Sequence, residues 1–65
     1  MITVNGKAIS AGAGRTLLDL LEEQGYRLDV IAVEYNGSIL KKEAYGSTLL
    51  QAGDKIEVVS FVGGG

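Results

Sequence analysis

The sequence predicts an α+β fold in which one helix packs on one face of a small sheet. Three observations predict it. Asn5-Gly6 and Asn36-Gly37 each lie between short segments of alternating character, the strongest local signal for a tight hairpin. Leu17, Leu18, Leu20 and Leu21 fall at i, i+1, i+3 and i+4, the spacing of one helical stripe. The closing run Ile56-Glu57-Val58-Val59-Ser60-Phe61-Val62 reads as a further strand. The order strand, strand, helix, then three strands is an α+β pattern in one domain.

The first hairpin pairs residues 2–4 with 8–10 around Asn5-Gly6, whose two positions both take positive φ in a type I′ turn. A two-residue loop sets Ile2 opposite Ile9, so both can face a core. Ala11-Gly12-Ala13-Gly14 is a connector; it lacks the lysine and the spacing of a phosphate-cradling loop. Thr16 is the expected N-cap, with Asp19 in the place of the glutamate of a capping box, and Gly25 the expected left-handed C-cap. Eight or nine helical residues are marginal alone, so the leucines must dock on a sheet.

Residues 30–35 form the predicted third strand, and Asn36-Gly37 turns it into the fourth. This register sets Val33 opposite Leu40 on the core side and Ile39 beside Glu34 outside. Residues 42–50 read as irregular, with a short turn at 43–46, and Ala52-Gly53-Asp54 turns into the last strand. There Ile56 and Val58 share one face, while Glu57, Val59 and Phe61 share the other. With one helix covering one face only, Val59 and Phe61 are candidates for an exposed apolar patch and a partner interface. The alternative is an edge cluster with Ala32 or Val30.

Composition removes several function classes. The 65 residues include no Cys and no His, so neither disulfides nor a Cys/His metal set can support so small a core. A Cys-free chain with no basic, apolar leader fits the cytoplasm, and no apolar run approaches the roughly 20 residues of a membrane span. A net charge of −2, with Lys41-Lys42 as the one adjacent basic pair, disfavours nucleic acid as a partner. No residue constellation supports catalysis by this chain.

What is left is the end. Gly63, Gly64 and Gly65 follow the apolar run directly, which divides the chain into a domain over residues 1–62 and a flexible tail over 63–65. Three extended residues reach about 10 Å, and glycine admits close approach by another protein's backbone. The bland reading is a frayed terminus. The functional one is a side-chain-free stem that carries the carboxylate of Gly65 into a partner's cleft.

The Asn5-Gly6 hairpin, Thr16-Leu17-Leu18-Asp19-Leu20-Leu21, Ile31-Ala32-Val33-Glu34-Tyr35-Asn36-Gly37, Gly53-Asp54-Lys55-Ile56-Glu57-Val58-Val59 and the glycine end together resemble the ubiquitin-like sulfur carriers of the ThiS/MoaD family. The absence of proline points to the ThiS side, for thiamine thiazole synthesis, rather than to the molybdopterin carriers. The resemblance implies a ubiquitin-like β-grasp, a mixed four- to five-stranded sheet with one main helix packed on one face. It also implies a mechanism. A ThiF-type adenylating enzyme, using ATP and Mg, activates the carboxylate of Gly65. A cysteine desulfurase or other sulfur donor converts it to a thiocarboxylate, and a ThiG-type thiazole synthase receives the sulfur. Gly64 matches the family's penultimate glycine, and Val59 and Phe61 lie where such carriers meet their activating enzyme. A protein-modifying tag and a non-covalent interaction module are the other uses of such an end.

Overall fold

The computed structural model describes residues 1–10 and 14–61, and these build a five-stranded mixed sheet with one main helix against it. Strands β1 (Ile2–Val4) and β2 (Lys7–Ile9) form the first hairpin, and β3 (Ile31–Tyr35) and β4 (Ser38–Leu40) the second. The last strand, β5 (Lys55–Ser60), lies in the middle of the order β2-β1-β5-β3-β4. It runs parallel to β1 and antiparallel to β3.

Both hairpins take the register that their turns dictate. Ile2 stands opposite Ile9, and Val33 opposite Leu40. Asn5 and Asn36 both have φ of 52°, followed by Gly6 at 81° and Gly37 at 88°. This left-handed pair is the one whose twist matches the flanking strands.

Helix α1 (Leu17–Glu23) is one or two residues shorter than its leucine pattern predicts. At its start the predicted box is complete. The Asp19 amide donates to Thr16 Oγ1 at 3.1 Å, and the Thr16 amide donates to Asp19 Oδ2 at 3.1 Å. Two backbone bonds close its end, from Gly25 N to Glu22 O and from Tyr26 N to Leu21 O. This is the paired geometry of a Schellman stop around a left-handed glycine, and it sets the length. The amide of Leu17 also donates to the Thr48 carbonyl and that of Leu50 to the Arg15 carbonyl, both at 2.8 Å.

Leu17, Leu20 and Leu21 bury against Ile2, Val4, Ile31, Val33, Ile56 and Val58 from the sheet and Leu50 beyond it. Each fully buried aliphatic side chain contributes about 2 kcal/mol. Two predicted boundaries move. Val30 belongs to a 3₁₀ turn over Leu28–Val30 rather than to β3, and residues 42–47 wind as a 3₁₀ helix. The second exists because Tyr45, only 2% exposed, turns inward to fill the core beside α1. Among the described residues, no helix is long and apolar enough to cross a membrane.

Candidate functional site

The site begins with how β5 is held, because β5 carries Val59 and runs straight on into Phe61. At its start, the buried Asp54 gathers three donors. Tyr35 Oη donates to Oδ2 at 2.5 Å, the Gln51 amide to Oδ2 at 2.8 Å, and Asn36 Nδ2 to Oδ1 at 3.2 Å. Burial pushes the Asp54 carboxyl up, but these hydrogen bonds outweigh it and hold the group below its ordinary range. The same contact acts on Tyr35 in the other direction. Burial first, then the hydrogen bond and charge of Asp54, push its phenol up to about 12.

The asparagines of the two hairpin turns also reach β5. Asn36 Oδ1 accepts the Lys55 amide at 2.8 Å, and Asn5 Oδ1 accepts the Val58 amide at 2.7 Å. Where β1 and β3 turn away, their turn residues continue the ladder with side chains. Beyond Ser60 the Phe61 amide still donates to the Val30 carbonyl at 2.7 Å, so the 3₁₀ turn that leads into β3 guides the strand to its exit.

Alternation along this clamped strand sorts its side chains. Ile56 and Val58 are buried, whereas Val59 is 58% and Phe61 66% exposed. Val59 faces Ala32 across the ladder, but that small neighbour does not cover it. The patch reading therefore holds over the edge-cluster one. Ile39, opposite Glu34 and 78% exposed, extends the apolar surface of the same open face. Its outward register was visible in the sequence, but only the pairing of β3 with β5 puts it on the same face as Val59.

Asp54 and the two asparagines were not identifiable as supports from sequence. An Ala-Gly-Asp segment signals a turn, and an Asn-Gly pair a hairpin, but neither signals what a side chain accepts across the sheet. Gly63, Gly64 and Gly65 lie outside the described residues, as do residues 11–13 of the predicted connector over 11–14.

The model of the ThiS family matches residues 2–65. The chain belongs to the ThiS family. It is 38% identical to the sulfur carrier protein ThiS of Bacillus subtilis over 66 residues, covering the whole of both chains. The crystal structure of the thiamine biosynthesis protein ThiS from Geobacter metallireducens superposes with a TM-score of 0.78 at 33% identity, covering 98% of this chain and 97% of that one. The β-grasp architecture is thus that of a ThiS protein. A thiazole synthase of Magnetococcus marinus is 44% identical over 64 residues, but the ThiS-like chain spans only 20% of that protein's length.

Proposed function

We propose that this ThiS-family chain is a sulfur carrier for thiamine thiazole synthesis, and that its working group is the carboxylate of Gly65. The observation that carries this reading is the family match through residue 65 together with full-length correspondence to a ThiS carrier. The chain supplies recognition and projection; the chemistry belongs to partners, since it has no His or Cys to act as nucleophile or base.

A free carboxylate is a poor acyl donor because oxide is a poor leaving group. A ThiF-type enzyme therefore directs a carboxylate oxygen of Gly65 at the α-phosphorus of ATP, with Mg neutralising the phosphates, and pyrophosphate leaves. A persulfide supplied by a desulfurase or similar donor then attacks the acyl carbon, and AMP leaves. A second thiol cleaves the resulting acyl disulfide, leaving a thiocarboxylate on Gly65 and a disulfide on the donor side. Gly63 and Gly64 form the stem that enters the enzyme, and Val59 and Phe61 dock on its surface. Strand β5 is paired with β1 at its start and with β3 along its length as far as Ser60, so it stays anchored while its end is drawn into a cleft.

The sulfur then passes to a ThiG-type thiazole synthase. The Magnetococcus marinus relative supports that pairing, since there a segment similar to this chain and a much longer one form one polypeptide named thiazole synthase. Deleting Gly65 tests the assignment. The shortened chain is expected to bind the activating enzyme through its folded domain yet accept no sulfur. Undiminished sulfur transfer would place the reacting group elsewhere.

A further inference from the structure

Each hairpin turn places an exposed asparagine immediately before a glycine, Asn5-Gly6 and Asn36-Gly37. That dipeptide has a chemistry of its own. The glycine amide nitrogen attacks the carboxamide carbon, gives its proton to solvent base and expels ammonia, closing a five-membered succinimide. Water then opens the ring at one of its two carbonyls, leaving aspartate or isoaspartate. Glycine permits the attack best, because it has no side chain to obstruct it. Both asparagines also anchor β5, so one reaction meets two different environments.

At Asn36 the carboxamide is held at both ends. Its Oδ1 accepts the Lys55 amide at 2.8 Å, and its Nδ2 donates to Asp54 Oδ1 at 3.2 Å. To present its carbon to the Gly37 nitrogen, the side chain must swing and give up both bonds. At Asn5 the hold is one-sided. Oδ1 accepts the Val58 amide at 2.7 Å, while Nδ2 reaches Tyr26 Oη only at 3.5 Å. Reaction at either site waits on local opening of the turn, and the weaker hold is at Asn5.

The products differ as well. An aspartate at position 5 keeps the acceptor for Val58, now charged and so stronger, and the Tyr26 hydroxyl can rotate to donate to it. An aspartate at position 36 keeps the acceptor for Lys55 but loses the donor to Asp54. It also sets a second carboxylate against Asp54, which is buried, where repulsion is less screened than in water. Isoaspartate adds a backbone carbon to a two-residue loop, and at either turn that upsets the register the loop sets.

We propose that the two Asn-Gly turns are sites of spontaneous deamidation restrained by the folded sheet, that Asn5 converts before Asn36, and that aspartate is tolerated at the first site and not at the second. Conversion at Asn36 then loosens the start of the strand that carries the exposed apolar patch.

The full chain, incubated in mildly alkaline buffer and in concentrated guanidinium chloride, tests it. Peptide mapping by mass spectrometry reads, at each site, the gain from replacing NH₂ by OH. Both sites are expected to react at least about tenfold more slowly in buffer than in denaturant, where the turns are open. In denaturant the two should react alike; in buffer Asn5 should lead. Equal rates with and without denaturant, or Asn36 leading in buffer, overturns the proposal. Thermal unfolding at neutral pH reads the products: Asn5→Asp should keep a midpoint close to the parent's, and Asn36→Asp should lower it. An unchanged midpoint in Asn36→Asp, or an equal loss in Asn5→Asp, overturns the assigned tolerance. If Asn36→Asp does not fold while Asn5→Asp does, the tolerance stands, and the site-resolved rates on the parent chain still decide the rest.

Discussion

The carboxamide oxygen of Asn5 accepts the backbone N–H of Val58 at 2.7 Å, joining residues 53 positions apart. A turn residue of the first hairpin thereby secures the strand that carries the glycine end. Asn36 does the same from the second hairpin, at Lys55. Recognition surface and fold are thus coupled through two side chains that a sequence pattern identifies only as turn formers.

Removing the Asn5 acceptor leaves a Val58 amide short of a partner, at a residue only 8% exposed. Asn5→Gly keeps the left-handed turn but loses the bond, and is expected to cost about 1–2 kcal/mol in urea unfolding. Asn5→Ala adds strain at φ 52° and should cost more. Asn5→Asp, which keeps an acceptor, should cost least. Equal stability of all three would remove the Asn5 to Val58 bond from the account.

Asp54 predicts a pH dependence with a definite sign. Its folded-state pKa is depressed, so its contribution is fully present above about pH 4 and is lost as pH falls through the folded value. Tyr35, pushed up to about 12, contributes below about pH 10 and loses that contribution as pH rises through 12. Unfolding free energies across the pH range should therefore fall at both ends. Asp54→Asn should cost about 1–3 kcal/mol at neutral pH and flatten the acid limb. Tyr35→Phe should reduce the alkaline limb. Tyr45, raised chiefly by burial, leaves a remainder. An acid limb unchanged in Asp54→Asn would contradict this assignment.

The capping box offers a local test. Thr16→Ala removes the acceptor for the Asp19 amide and should lower stability by about 1 kcal/mol. Leu21→Ala, in the fully buried docking face of the same helix, should cost about 2–5 kcal/mol. If the two costs prove similar, the helix is held by its cap rather than by docking.

Phe61 separates surface from core. At 66% exposure, Phe61→Ala should change unfolding stability by less than about 0.5 kcal/mol. Affinity for the adenylating enzyme should fall at least about tenfold, the loss expected of an aromatic anchor. Comparable losses in both measurements would place Phe61 in the core instead.

The hairpins, the capped helix and the sides of β5 were legible because each rests on local chemistry: positive φ at Asn-Gly, a side chain capping its own helix, alternation along one strand. Central placement of β5 was not, since the parallel pairing of Val4 with Ile56 leaves no local trace. Nor was Tyr45, whose inward turn depends on the space left beside α1. At the face, Val59 and Phe61 could be read from alternation. The pairing of Glu34 with Glu57 on that face could not, because it depends on the register between two strands separated by a hairpin, a 3₁₀ helix and a turn.

The central claim is that the carboxylate of Gly65 becomes the sulfur-bearing group. Intact-mass spectrometry of the full chain, after incubation with its adenylating enzyme, ATP, Mg and a sulfur source, tests it most directly. The account predicts a mass gain equal to replacing one oxygen by sulfur, located to Gly65 by fragmentation and absent when ATP is withheld. No such gain with an enzyme shown to be active, or a gain located away from Gly65, would contradict it.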